Sequence, residues 1–68
     1  MIRIHVNGEP ITCPSDQEVR EVLIHLGYLP EVVVVELNGR ILPRSRWPGQ
    51  KVVESDSLEV VTIVGGGA

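Results

Sequence analysis

Apolar and polar residues alternate over the first six positions of the chain. Ile2, Ile4 and Val6 fall on one side of an extended backbone, and Arg3 and His5 fall on the other. A period of two residues is typical of a strand with one buried face. The pattern therefore predicts that the chain opens with a half-buried β-strand.

Two Asn-Gly pairs predict tight hairpin turns, because both residues tolerate the positive φ angles of a type I′ turn. Asn7-Gly8 predicts that residues 9–13 run back antiparallel to the first strand. Asn38-Gly39 follows residues 32–37, which are too few and too rich in valine for a helix. We expect residues 32–37 to form a central strand, with residues 40–42 as its short partner.

One helix is predicted between the two hairpins. Ser15 and Glu18 have the spacing of a capping box at its start. Gly27 predicts its end, since glycine adopts the left-handed terminal conformation at little cost. Between these positions apolar residues recur with helical spacing and give the helix one apolar face. They are Val19, Val22, Leu23 and Leu26.

An irregular loop and a final strand follow the second hairpin. The loop spans residues 43–49 and contains two prolines and Trp47, whose ring we expect to pack the loop onto the body of the protein. A turn at Ser55-Asp56 leads into a strand over residues 58–64.

The order of these elements is hairpin, helix, strand, short strand, loop and strand, which is the arrangement of a β-grasp fold. We predict an α+β domain over residues 1–64, followed by a flexible tail over residues 65–68. The domain contains a mixed four- to five-stranded sheet with one main helix packed on one face. A right-handed crossover through the helix is compatible with this topology.

Composition limits the functions open to the chain. Nine acidic and six basic residues give a net charge of −3, which argues against a nucleic-acid partner. Cys13 is the sole cysteine, so we expect no internal disulfide and no metal site. We predict that its side chain packs in the core, with a role as a nucleophile as the alternative. No apolar stretch is long enough to span a membrane, and the N-terminus lacks a signal-peptide pattern, so a cytoplasmic protein is expected.

The C-terminal segment Gly65-Gly66-Gly67-Ala68 has almost no side chains to pack. Glycine has the highest conformational freedom of any residue, so the segment is predicted to project as a thin arm of roughly 13 Å. Such an arm fits a narrow channel leading to another protein's active site. The alternative is a frayed terminus without a function.

Five segments of the chain occur in an order and at a spacing that resemble the ThiS sulfur carriers of thiamine biosynthesis, which are small ubiquitin-like proteins ending in Gly-Gly. The segments are Ile4-His5-Val6-Asn7-Gly8, Val19-Arg20-Glu21-Val22-Leu23, Val35-Glu36-Leu37-Asn38-Gly39, Ile41-Leu42-Pro43-Arg44 with Trp47, and Asp56 leading to Val64-Gly65-Gly66-Gly67. The resemblance covers essentially the whole chain.

This resemblance implies a carrier that is not itself an enzyme. Its terminal glycine carboxylate is adenylated, converted to a thiocarboxylate and used as a sulfur source by thiazole synthase. The implied partners are an adenylating protein similar to ubiquitin-activating enzymes, thiazole synthase, and a sulfur donor such as a cysteine desulfurase system. Because the sequence has no phosphate-binding loop, ATP and magnesium are expected to belong to the adenylating protein.

Carried over to this chain, the activated residue is Gly67, with Gly66 as its slim neighbour and Gly65 just before the pair. The chain departs from the family pattern because Ala68 follows. Either a peptidase removes Ala68, or the adenylating protein accepts it directly. We favour removal, because the alanine methyl group crowds a channel fitted to glycine.

A carrier also needs a docking surface. We predict that Val34, Val61 and Ile63 form an exposed apolar patch on the sheet face opposite the helix, with Glu36 and Glu59 beside it to steer a basic partner. The alternatives are that a loop covers the patch, or that the strand register differs by one residue.

Arg40, Arg44 and Arg46 form a basic cluster around the irregular loop. The charge pattern favours a solvated loop, with contact to an acidic partner as the alternative. His5 and His25 lie on different elements, without the spacing of metal ligands, and are predicted to be solvated.

Two other functions fit the sequence. One is the small subunit of molybdopterin synthase, which has the same fold and a Gly-Gly end but a different sulfur recipient. The other is a β-grasp interaction module whose glycines are only a frayed end. The short chain and the run from Asn38-Gly39 to Pro43-Arg44 favour the ThiS resemblance.

Overall fold

The structure is a computed structural model that describes residues 1–63 of the 68. The predicted end of the last strand at Val64, the predicted boundary between domain and tail, and the tail itself lie outside the described residues.

Within residues 1–63, five strands form one mixed sheet, and a single α-helix packs on one of its faces. The order across the sheet is β2-β1-β5-β3-β4, with β1 and β5 parallel and the other neighbours antiparallel. This topology confirms the predicted α+β β-grasp fold. The elements are β1 (Ile2–Val6), β2 (Glu9–Cys13), α1 (Val19–His25), β3 (Val33–Leu37), β4 (Arg40–Ile41) and β5 (Ser57–Thr62), with 3₁₀ turns at Pro30–Val32 and Arg44–Arg46.

Both predicted hairpins form at their Asn-Gly pairs. The φ angles are 51° and 84° at Asn7 and Gly8, and 52° and 86° at Asn38 and Gly39. Positive φ at both central residues is the signature of the type I′ turn, whose twist matches that of the flanking strands. The turns fix the strand register, so that the residues on each face of the sheet follow from the sequence.

The helix begins at a different capping box from the predicted one. Glu18 is the N-cap; it exchanges side-chain and backbone hydrogen bonds with Glu21, and the Glu18 N–H donates to the Glu21 carboxylate at 2.9 Å. The predicted Ser15–Glu18 box is therefore wrong. The Val52 N–H donates to the Gln17 carbonyl at 2.9 Å, and this long-range pairing keeps the preceding residues out of the helix.

The helix ends as predicted at Gly27, which has a φ of 92°. The Gly27 N–H donates to the Ile24 carbonyl at 3.0 Å, and the Tyr28 N–H donates to the Leu23 carbonyl at 2.9 Å. These two bonds form a Schellman motif, which satisfies carbonyls that the last helical turn leaves free.

Three strands have boundaries that differ by one or two residues from the prediction. β3 starts at Val33 because the preceding residues form a 3₁₀ turn after Pro30, which no sequence signal identified. β4 ends at Ile41, although the Leu42 N–H still donates to the Val35 carbonyl at 2.9 Å. β5 starts at Ser57 and ends within the described residues at Thr62.

The core lies between the helix and the inner face of the sheet and is almost entirely aliphatic. Trp47 is 4% exposed, and its indole N–H donates to the Leu42 carbonyl at 3.1 Å, so the predicted packing of the loop is confirmed. The buried apolar residues are Ile4, Val6, Cys13, Val19, Val22, Leu23, Val33, Val35, Trp47, Val52, Leu58 and Val60.

No helix within residues 1–63 is long and apolar enough to cross a membrane.

Candidate functional site

The sheet face opposite the helix presents apolar side chains where β3 and β5 lie side by side. Val34 on β3 pairs with Val61 on β5, and their side chains are 40% and 62% exposed. Their strand neighbours Val35 and Val60 are buried. The predicted register and exposure are therefore confirmed, and no described loop covers these two valines.

Ile63 and Ile41 extend this surface. Ile63 follows β5, is 52% exposed, and donates its N–H to the Val32 carbonyl at 2.7 Å. Ile41 on β4 pairs with Glu36 and therefore shares the outer face with it. We call the set of Val34, Ile41, Val61 and Ile63 the outer patch. Its role in partner binding stays a prediction.

Ile41 was missed in the sequence analysis, although a signal for it exists. A two-residue Asn-Gly turn places Leu37 opposite Arg40, and hence Glu36 opposite Ile41. Since Glu36 was already predicted on the outer face, the same parity assigns Ile41 to that face.

Glu36 and Glu59 also occupy the outer face and lie directly opposite each other on β3 and β5. Like charges at paired positions repel each other, which costs the sheet some stability. Glu36 lies between Ile41 and Glu59 across the sheet, so the two carboxylates make the part of the outer patch near Ile41 acidic. Their role in steering a basic partner stays a prediction.

Asn7, in the first turn, hydrogen-bonds through its side chain to the backbone of β5, beyond the last residue of β1. Its Oδ1 accepts the Val60 N–H at 2.7 Å, and its Nδ2 donates to the Val60 carbonyl at 3.2 Å. The Asn7 Nδ2 also donates to the Tyr28 hydroxyl oxygen at 3.2 Å. The Asn7 side chain thus pairs with the β5 backbone at Val60 as an additional strand residue would. Val60 lies three residues before Ile63.

The asparagine of the second turn has a matching role at the start of β5. The Asn38 Oδ1 accepts the Ser57 N–H at 2.9 Å, and its Nδ2 donates to the Asp56 Oδ1 at 3.0 Å. Asp56 is buried, and its Oδ2 accepts the Val53 N–H at 2.9 Å. Sequence reasoning assigned turns to these residues but not their contacts with β5, which depend on the strand order.

We predict that Asn7→Gly lowers the free energy of unfolding by about 2 kcal/mol. Glycine preserves the turn, because it adopts positive φ freely, but it removes the hydrogen bonds to Val60. Asn7→Asp keeps the acceptor for the Val60 N–H and loses the donor, so its loss is smaller. Urea denaturation of the three chains measures the difference, and equal stability of all three would contradict the clamping role of the side chain.

Cys13 is fully buried on β2 and packs in the core, as predicted. Burial raises the pKa of its thiol above the ordinary 9.0, partly offset by the positive N-terminus. The thiol therefore stays protonated at neutral pH, which opposes a role as a nucleophile.

The raised pKa of Cys13 predicts a loss of stability in alkali. Well below pH 9.0 the thiol is protonated in both states, so it contributes no pH dependence there. As the pH rises through that value, the Cys13 thiol ionises in the unfolded chain before it does so in the folded chain. This ionisation stabilises the unfolded state relative to the folded state. We expect urea denaturation to show a steeper fall in stability between pH 8 and about pH 10 than in Cys13→Ala. Parallel falls would contradict the prediction.

The predicted arginine cluster separates into two parts. The Arg44 guanidinium lies over the Trp47 ring, 4.9 Å from its centroid, and donates to the Pro30 carbonyl at 2.6 Å. Arg44 therefore ties the irregular loop to the segment before β3. Arg40 and Arg46 are exposed and do not share these contacts.

Among the described residues, two exposed ion pairs lie away from the outer patch. The Arg20 guanidinium is 3.2 Å from the Glu31 carboxylate, and the Lys51 ammonium contacts Asp16. The pKa of the Glu31 carboxyl is lowered, mainly by a hydrogen bond from the backbone of Glu31 itself and then by the hydrogen bond from Arg20. The hydrogen bond to Asp16 raises the pKa of Lys51.

No cluster of three metal-ligating side chains occurs in the described part of the chain.

The fold and its outer face define a small ubiquitin-like β-grasp domain. The model of the ThiS family matches residues 4–67. The chain belongs to the ThiS family.

Solved structures and sequence relatives are similar over nearly the whole chain. A crystal structure of a thiamine biosynthesis protein (ThiS) from Geobacter metallireducens superimposes with a TM-score of 0.82 at 35% identity, covering 97% of this chain and 100% of that one. The uncharacterized protein ycf40 of Pyropia yezoensis is 41% identical over 97% of this chain and 93% of its own length. A thiazole synthase from Magnetococcus marinus is 36% identical over 97% of this chain but only 20% of its own length.

Gly65, Gly66 and Gly67, predicted as the reactive end of the chain, lie outside the described residues, as does Ala68. The family match nevertheless extends through Gly67. Within residues 1–63, Val34, Val61 and Ile63 of the outer patch lie towards the end of β5 from which the chain continues to these glycines, whereas Ile41 lies opposite Glu36.

Proposed function

We propose that the chain is a sulfur carrier for thiazole formation in thiamine biosynthesis, and that it serves as a substrate of its partner enzymes rather than as a catalyst. The observation that carries this proposal is the family match, which runs through the last of the three glycines. The β-grasp fold and the TM-score of 0.82 to a thiamine biosynthesis protein support it.

The proposed chemistry takes place at the carboxylate of Gly67. A carboxylate is a poor acyl donor, because oxide is a poor leaving group. Attack of its oxygen on the α-phosphate of ATP forms an acyl adenylate and releases pyrophosphate. A persulfide of the donor then displaces AMP and forms an acyl disulfide. A second thiol attacks the donor cysteine sulfur of that bond, so that a disulfide forms and the thiocarboxylate is released. Glycine leaves the carbonyl carbon unhindered during these attacks.

ATP and magnesium belong, in this proposal, to an adenylating protein similar to ubiquitin-activating enzymes. The carrier contributes a reactive end and a surface by which the enzyme recognises it. The outer patch suits that second role, since Val61 and Ile63 lie on the segment that leads into the glycines. A partner that contacts these side chains would receive the tail at a fixed starting point.

Thiazole synthase is the proposed sulfur acceptor. Support comes from the thiazole synthase of Magnetococcus marinus, in which the stretch similar to this chain makes up a fifth of the protein. A second thiazole synthase, from Paramagnetospirillum magneticum, has the same relation at 33% identity over 21% of its length. A carrier-like segment linked to thiazole synthase stays close to it, because linkage raises the effective concentration of each part at the other.

Ala68 has to be removed before Gly67 can react by this route. We propose that a peptidase removes it, since a chain ending in alanine offers a more crowded carboxylate. The intact mass of the protein isolated from its native cell tests this step. A mass that includes Ala68 together with bound sulfur would show that the adenylating protein accepts alanine.

The proposed function is tested with the chain ending at Gly67, incubated with ATP, magnesium, the adenylating protein and a sulfur donor. Intact-mass analysis is expected to show replacement of one oxygen by sulfur. No change, under conditions that modify a known carrier, would favour a plain interaction module. Transfer of the sulfur to the large molybdopterin synthase subunit, but not to thiazole synthase, would identify the other recipient.

A further inference from the structure

A groove of about 350 Å³ lies at the edge of the sheet formed by β4. It lies between the second hairpin and the 3₁₀ turn of the irregular loop. We call it the edge groove; it is lined by Leu37, Arg40, Ile41, Leu42, Pro43 and Arg46. Its floor is apolar, and two guanidinium groups flank it.

The two arginines of the edge groove have no acidic partner in residues 1–63. Most of the other cations are engaged: Arg20 and Lys51 form ion pairs, and Arg44 is held by backbone carbonyls and Trp47. Arg3 also lacks an ion pair there, but it lies on β1, away from the groove. In an acidic protein, two unpaired arginines at one apolar groove form a local positive site.

The sheet offers this groove together with a backbone edge. β4 is the outermost strand, so one side of its backbone has no neighbouring strand among the described residues. Arg40 shares the helix-side face with Leu37, whereas Ile41 lies on the outer face with Glu36. An extended peptide that pairs with β4 would therefore meet a positive charge on one face and an apolar side chain on the other.

We propose that the edge groove binds an extended acidic peptide segment of a partner protein, in which carboxylates alternate with apolar side chains. The carboxylates pair with Arg40 and Arg46, and an apolar side chain packs beside Ile41. This interaction requires only the folded domain, so it is independent of the sulfur-carrier proposal. The net charge of −3 repels acidic chains at long range, which confines the attraction to the groove and makes it sensitive to salt.

The test is a titration of the isotope-labelled full chain with the peptide Ac-Glu-Leu-Glu-Leu-Glu-Leu-NH₂, followed by NMR. We expect amide shifts to concentrate in residues 36–46, and we expect high salt to reduce them. In the double variant Arg40→Glu with Arg46→Glu, the dissociation constant should rise about tenfold or more, since two exposed charge pairs are reversed. The matched control Arg3→Glu, on another strand, should leave it unchanged.

Four results would overturn the proposal. They are no shift at millimolar peptide, equal shifts with a peptide that has lysine in place of glutamate, the same affinity in the double variant, and equal displacement of the peptide by a thymidine hexanucleotide. Both arginines are exposed, so the double variant is expected to fold, and its thermal denaturation curve verifies this.

Discussion

Removal of residues 65–68 is expected to abolish sulfur loading completely, with no loss of the fold. The shortened chain has no carboxylate that can reach the nucleotide of the adenylating protein, because it lacks an arm of roughly 13 Å. The buried core belongs to residues 4–60, so the melting temperature should not change. Intact-mass analysis after incubation with ATP, magnesium, the adenylating protein and a sulfur donor measures the loss.

Two matched variants separate the reach of the tail from its chemistry. Removal of Ala68 alone should give full loading without a peptidase, since Gly67 then carries the free carboxylate. Gly67→Val in a chain that ends there keeps the length but places a branched side chain beside the reacting carbonyl, and we expect at least a tenfold slower loading. Sulfur on the chain that ends at Val64 would contradict the assignment of the glycine end.

Val61→Glu is expected to slow loading by at least tenfold at subsaturating enzyme. Val61 is 62% exposed in the middle of the outer patch, and its burial in a complex removes apolar surface from water. A carboxylate at this position would lose its hydration in the complex and lie beside Glu59 and Glu36. A cost of 1.4 kcal/mol or more, which is about tenfold, follows from either effect.

Val53→Glu is the matched control, because Val53 is 57% exposed but lies outside the strands of the outer face. The same substitution there should leave loading unchanged. Both variants replace an exposed valine, so thermal denaturation should show little difference in stability. Unchanged loading in both variants would show that the outer patch does not contact the adenylating protein. Loss in both would indicate a general effect of added negative charge.

The parts of the fold that depend on local chemistry could be predicted from the sequence. Asn7-Gly8 and Asn38-Gly39 need positive φ angles that few other residues adopt, so they fix the hairpins and with them the register of the strands. Gly27 ends the helix for the same reason. Alternation along β3 and β5 then assigned Val34 and Val61 to the outer face.

The errors arose where distant segments decide the local structure. Ser15 and Glu18 have the correct spacing for a capping box, but the pairing of Gln17 with Val52 delays the helix. Only the assembled sheet shows why Asn7 is an asparagine, because its contact with Val60 spans 53 residues. The separation of Arg44 from its neighbours depends in the same way on the position of Trp47.

The central position of β5 determines when the protein can fold during its synthesis on the ribosome. β5 fills the gap between β1 and β3, yet it is the last strand to be translated among those described. A nascent chain that has emerged only as far as β4 exposes two separate hairpins, and its hydrophobic layer stays open to water. Contacts of such long sequence separation form slowly. The sheet closes only when residues 57–62 leave the ribosome, so a product cut short before that point would be cleared by proteases rather than accumulate.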